Sequence, residues 1–251
     1  MGKNLIQQAR GKGGPRYRAP SFNYAGEVRY ALLKGPLFEG KITEIIHSAG
    51  HSAPLMKVRY AGNDMSPEAL LVAPEGVRIG DVVQFGPDAQ ISNGNTLPLE
   101  KIPEGTTVYN IENNPGDGGK FVRSSGTFGR VSAKFKDKVL VILPSKKEKA
   151  FKPSCFATVG ICAGGNRLEK PLLKAGNSYY KFKARNKLWH SCRGLAVNAV
   201  DHPYGCKRSS RKGKPNIAPK NAPPGRKVGK IRPRRTGRTR GSSVLNEVKE
   251  N

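Results

Sequence analysis

Between Pro36 and Cys162 the apolar residues fall into short runs bounded by turn residues, and no stretch carries the spacing of a long amphipathic helix. Gly40 to His47, Leu55 to Tyr60, Ala69 to Val72, Val82 to Phe85 and Thr107 to Ile111 predict five strands. Turns at Ala61-Gly62-Asn63-Asp64, Pro74-Glu75-Gly76 and Asn93-Gly94-Asn95 separate them. Five short strands in such a stretch predict a small closed barrel. Beyond a glycine-rich joint at Asn113 to Lys120, Thr127 to Phe135, Val139 to Leu143, Lys149 to Lys152 and Cys155 to Cys162 predict a second. Val139 to Leu143 is apolar throughout and is expected to be buried on both faces. The fold class expected is mainly β, two small barrels in tandem, with no doubly wound α/β organisation.

Outside this region the pattern disappears and charge replaces it. The chain has 251 residues, 45 Lys and Arg against 18 Asp and Glu, and a formal charge of +27. By segment, residues 1–60 carry 10 − 3 = +7, 61–120 carry 3 − 9 = −6, 121–206 carry 17 − 4 = +13 and 207–251 carry 15 − 2 = +13. Such a balance requires a polyanionic partner, and nucleic acid fits it best. The acidic 61–120 block is expected to face solvent or another protein. No apolar run approaches the roughly 20 residues of a spanning helix, and the first residues resemble neither a signal peptide nor a myristoylation site. A cytoplasmic protein with no membrane partner is expected.

The basic stretches interleave cations with glycine and aromatics. Arg10, Lys12, Arg16, Tyr17 and Arg18 form an N-terminal arm suited to phosphate contact and base stacking. Lys181, Lys183, Arg185 and Lys187 alternate with Phe182, Leu188 and Trp189, the last expected to anchor its loop in the core. Lys207 to Arg240 carries fourteen cations, no acid and frequent Pro and Gly, so its order is expected to come from a partner.

Candidate catalytic chemistry is thin. Gly116 to Lys120 resembles a phosphate loop, but Phe121 stands where Ser or Thr is required and no helix pattern follows. Cys155, Cys162, Cys192 and Cys206 contain no Cys-x-x-Cys pair, and reduced, mostly buried thiols are expected. An enzyme built on His190, Cys192, His202 and Cys206 lacks a paired-carboxylate or His-Glu-x-x-His arrangement. No catalytic residue, metal or cofactor is expected.

Eight blocks in order carry a resemblance. They are Tyr17 to Ser21, Ala73 to Val77, Gly94 to Leu99, Pro115 to Lys120, Glu169 to Pro171 with Lys174 to Gly176, Val200 to Pro203, Asn221 to Gly229, and Arg234 to Arg238. With them the chain resembles the family of the universal second protein of the large ribosomal subunit, in its archaeal form. The resemblance implies an OB-type barrel followed by an SH3-like barrel, with basic extensions threading into ribosomal RNA near the peptidyl transferase centre. It gives an N-terminal arm over 1–35, barrels over 36–114 and 115–199, and a C-terminal extension over 200–251. Large-subunit ribosomal RNA and neighbouring ribosomal proteins are the expected partners, with a contact to the small subunit and no small-molecule substrate. To the arm and the 181–187 cations it adds RNA contacts at Lys120, Arg123, Lys174, Arg193, Asn198 and His202. In the tail it adds Lys207, Arg208, Arg211, Lys212, Lys214, Arg226, Lys227, Arg232, Arg234, Arg235 and Arg238. His202 is expected to hydrogen-bond or stack on RNA rather than catalyse. Where the family runs several glycines after its His-Pro pair, Gly205 is followed by Cys206-Lys207-Arg208. A transiently bound, translation-factor-like module is the alternative.

Overall fold

A computed structural model describes residues 3, 5–31, 33, 35–61, 67–190, 192–206 and 217–233. The chain divides into two compact units: Ala19–Arg185, and Met1–Arg18 together with Asn186–Asn251.

The Ala19–Arg185 unit is mainly β. Its strands are β1 (Phe38–Ile46), β2 (Leu55–Tyr60), β3 (Glu68–Val72), β4 (Val82–Phe85), β5 (Thr96–Pro98), β6 (Thr107–Tyr109), β7 (Gly129–Lys134), β8 (Val139–Ile142), β9 (Glu148–Phe151) and β10 (Phe156–Val159). They form one ladder in the order β3-β2-β1-β4-β5-β10-β6-β7-β8-β9. Every pairing is antiparallel except β4 with β5, joined in parallel at Phe85 and Thr96. Two separately closed barrels were expected; among the described residues the ladder does not close on itself, and β3 and β9 are its ends. β10 pairs with β5 on one side and β6 on the other, which makes the two halves one continuous ladder.

Alternation explains the strand faces. On β2, Leu55, Met56, Val58 and Tyr60 are buried while Arg59 is exposed. On β8 only Val139 and Val141 are buried, and Leu140 and Ile142 are half-buried, so burial on both faces is corrected to one buried face. Bulges interrupt the register between Ile42 and Glu44 on β1 and between Val131 and Ala133 on β7, and such insertions bend a strand and raise its twist. Each half consequently curls over its own core. One cluster holds Ile42, Met56, Val58, Tyr60, Leu71, Val83 and Phe85. The other holds Leu97, Leu99, Ile102, Val108, Ile111, Val131, Val141 and Phe151. Fully burying each such side chain contributes about 1.5–3 kcal/mol. Phe85 and Phe156 stack between the halves, centroids 4.9 Å apart and planes 15° from parallel.

The acidic block is split by burial. Glu75, Asp81, Asp88, Glu100 and Glu104 are exposed, as expected, whereas Glu112 is only 2% exposed. Its Oε2 accepts the amide N–H groups of Gly116 (3.2 Å) and Phe156 (2.9 Å), and its Oε1 that of Gly118 (3.1 Å). Asp117 Oδ2 accepts from the amides of Asn113 and Asn114, and Oδ1 from that of Gly119. Two carboxylates therefore replace the ladder partners that the glycine-rich joint cannot find in a strand.

In the other unit, α1 (Ile6–Gly11) begins the described part of the N-terminal arm. Near the C-terminus β11 (Ile217–Ala218) pairs in parallel with β12 (Lys230–Ile231), and Ala218 and Ala222 are buried. The expectation that this tail finds no internal order is thus corrected for residues 217–233.

Candidate nucleic-acid interface

The terminal unit concentrates positive charge with little to neutralise it. Arg10, Lys12, Arg16, Arg18, Lys187, Arg193, Arg226, Lys227 and Arg232 are exposed. Among its described residues Asp201 is the single acid, bonded to Lys3 at 2.9 Å. The Arg10 guanidinium lies 5.9 Å from the centre of the half-buried Tyr17 ring. Asn186, at φ +49, donates from Nδ2 to the Arg18 carbonyl at 2.7 Å, fixing the arm where its cations emerge.

His202 sits in a tight loop rather than a catalytic cluster. Its carbonyl accepts the Gly205 N–H at 2.8 Å, and its Nδ1 accepts the Tyr204 N–H at 3.0 Å. Because Nδ1 is an acceptor, the ring carries a donor N–H on Nε2. The Tyr204 ring meets it edge-on at 4.9 Å. On another side the ring fills the space a Cβ on Gly194 would need, so glycine is required there. Asn198 is exposed, and its carbonyl accepts the N–H groups of Asp201 and His202.

In the Ala19–Arg185 unit, α2 (Ala175–Lys183) follows Lys174 and buries no residue. A nine-residue helix without a buried face is marginal by itself. Lys174, Lys181 and Lys183 are exposed, and Arg185 is half-buried. Tyr180 is 67% exposed and meets Tyr179 edge-on at 5.3 Å. Sequence reasoning passed over these two tyrosines, although adjacent aromatics within a basic segment were the signal. Lys120 is exposed. Arg123 differs from the other cations: Nη1 donates to the Gly119 carbonyl at 3.0 Å and Nη2 to that of Val28 at 2.9 Å, an internal clamp. Lys207, Arg208, Arg211, Lys212, Lys214, Arg234, Arg235 and Arg238 lie outside the described residues.

The cysteines differ in exposure. Cys155 and Cys162 are buried but Cys192 and Cys206 are exposed, which corrects the expectation of mostly buried thiols. Burial pushes the Cys162 thiol up to about 12. Among the described residues no three His, Cys, Asp or Glu side chains gather as a metal site would require. Trp189, expected in the core, is 36% exposed and tilts against His190 at 5.7 Å.

Residues 92–225 match the family described as Ribosomal Proteins L2, C-terminal domain. The large ribosomal subunit protein uL2 of Methanosphaera stadtmanae is 49% identical over 244 residues, 96% of this chain and 100% of that protein. This chain belongs to the L2 family. The uL2 proteins of Methanothermobacter thermautotrophicus, at 46% over 245 residues, and of Archaeoglobus fulgidus, at 47% over 237, are likewise similar across 96% and 94% of the chain. Its relationship is thus to the archaeal type of the L2 family. Among the described residues no helix is long and apolar enough to cross a membrane.

Proposed function

We propose that this L2-family protein is a structural, non-catalytic component of the large ribosomal subunit that binds large-subunit ribosomal RNA through its terminal unit and α2. The observation that carries the reading is the excess positive charge of the terminal unit, whose described residues include nine exposed Arg and Lys of the proposed interface and a single acid, Asp201, bonded to Lys3. Releasing counterions from phosphates is the driving force such a surface supplies. Arg10, Lys12, Arg16, Tyr17, Arg18, Lys187, Arg193, Asn198, His202, Arg226, Lys227 and Arg232 contact RNA from this unit; Lys120, Lys174, Lys181, Lys183 and Arg185 do so from the other, while Arg123 serves the fold as an internal clamp instead. Lys207, Arg208, Arg211, Lys212, Lys214, Arg234, Arg235 and Arg238 of the tail contact RNA as well.

The β-rich region acts as the platform, an OB-type barrel over 36–114 and an SH3-like barrel over 115–199, flanked by the 1–35 arm and the 200–251 extension. A packing centre and a bulge in each half support two β modules, with Leu97, Leu99, Ile102, Val108 and Ile111 packing into the second. The protein works in the cytoplasm, in contact with neighbouring ribosomal proteins. It helps shape the surroundings of the peptidyl transferase centre and supports association with the small subunit. Crosslinking with mass spectrometry on native particles tests the reading: Arg16, His202 and Arg234 are expected in peptides joined to RNA, and their recovery only in RNA-free peptides would reject it.

A further inference from the structure

In the Ala19–Arg185 unit, a cleft of about 630 Å³ opens between the Gly126–Phe128 turn and the β8–β9 hairpin. Phe128, Arg130, Ile142, Leu143, Pro144 and Lys146 line it. Small-ligand clefts span about 300–1,000 Å³. The geometry points to a pocket for one unstacked nucleotide of single-stranded RNA, its base on the Phe128 ring and its phosphate between Arg130 and Lys146. This rests on the ribosomal RNA-binding reading and adds a contact that the basic arms do not supply.

Three observations carry it. Phe128 is 45% exposed, and among the described residues no ring stacks on it. It leaves a turn pinned by Thr127, whose Oγ1 donates to the Ser124 carbonyl at 2.6 Å, so the ring is offered from a fixed backbone. Arg130 donates from Nε to the Gly105 carbonyl at 3.1 Å. That bond orients the guanidinium and leaves its remaining N–H groups for an anion. Lys146 occupies the left-handed region at φ +63, and its N–H donates to the Leu143 carbonyl at 2.8 Å. A hairpin position of this kind favours glycine, and a side chain there carries a conformational cost. The cost is accounted for when the ammonium is needed at the rim.

No acid lines the cleft. Nearby Glu148, paired with Ile142 on β9, accepts the Ser132 hydroxyl at 3.0 Å. Two cations beside an apolar floor and a bare ring match a nucleotide, which joins an anion to a flat π face. An apolar side chain of a neighbouring protein would leave both cations without a counter-charge.

The test uses the full chain bound to deproteinised cognate large-subunit RNA, with base accessibility probed by dimethyl sulfate and carbodiimide. Wild-type protein is expected to protect one or two single-stranded bases that Phe128→Ala exposes again and Phe128→Tyr keeps protected. Loss of base stacking is expected to weaken binding about 5- to 150-fold. Lys146→Gly is expected to leave the unfolding midpoint unchanged or raised while lowering the salt slope of binding by about 0.7 to 0.9. An identical footprint and affinity for wild type and Phe128→Ala, with RNA still bound, overturns the pocket alone. A protein footprint absent everywhere overturns the RNA-binding reading itself. A lower midpoint for Lys146→Gly with an unchanged salt slope shows a merely structural lysine and also overturns the pocket.

Discussion

The carboxylate of Glu112 accepts the amide N–H of Phe156 at 2.9 Å, tying the glycine-rich joint to a strand that begins 44 positions later in the chain. The same carboxylate accepts the amides of Gly116 and Gly118. A buried charge tolerates its desolvation when several N–H groups point at it. Glu112→Ala leaves the buried Gly118 amide and the part-buried Gly116 and Phe156 amides without their acceptor and is expected to destabilise the protein by about 2–4 kcal/mol. Glu112→Gln keeps one acceptor and is expected to cost about half as much. Urea unfolding of both variants checks the order; equal and negligible losses would show that the joint does not depend on this residue.

The two glycines after Asp117 differ in what surrounds them. At Gly119, φ +90, a Cβ would lie 2.7 Å from the backbone oxygen of Asn110, which cannot swing away. At Gly118, φ +79, it would meet the side chain of Arg29, which is exposed and can. Gly119→Ala is expected to destabilise by about 2–4 kcal/mol and Gly118→Ala by about 1–2. Thermal unfolding of the pair gives the comparison, and the reverse order would contradict the geometry.

Much of the β platform was legible because alternating runs between turn signals survive in folded strands. Leu55–Tyr60 and Val82–Phe85 fall where the pattern places them. β5 escaped because Thr96–Pro98 is three residues long and buried throughout, so it has no alternation to read. α2 escaped because it is nine residues long and buries none of them, so Tyr179 and Phe182, three apart, belong to no long apolar stripe. β11 and β12 escaped because two-residue parallel pairing depends on a distant return of the chain. Of the proposed interface, the cations were visible as composition. Arg123 could not be told apart from them, since its acceptors, Val28 and Gly119, are backbone carbonyls with no sequence signature.

Alkali is expected to unfold the Ala19–Arg185 unit. Burial raises the Cys162 thiol from the ordinary 9.0 to about 12, and burial also raises the hydroxyls of Tyr30, Tyr60 and Tyr109. Each keeps its proton in the fold at a pH where the unfolded chain has lost it. Their contribution is therefore whole below pH 9.0 and falls as pH rises toward 12. Denaturant midpoints measured stepwise above neutrality should decline from there, with tyrosinate absorbance appearing together with unfolding. Ionisation of all tyrosines while the fold persists would contradict the burial.

Tyr180 separates stability from binding. It is 67% exposed on a helix that buries no residue, so Tyr180→Ala is expected to change stability by no more than about 0.5 kcal/mol. The same change is expected to weaken RNA binding about 5-fold or more if the ring stacks on a base. Thermal unfolding and filter binding on one preparation read both, and unchanged affinity would remove α2 from the interface.

The most direct measurement is the salt dependence of the full chain's affinity for its cognate large-subunit RNA. A surface engaging about ten phosphates predicts that log affinity falls with log salt at a slope of about 7 to 9. A slope near zero between about 50 and 200 mM salt would contradict the account, because the exposed cations of the terminal unit would then have no phosphates to neutralise.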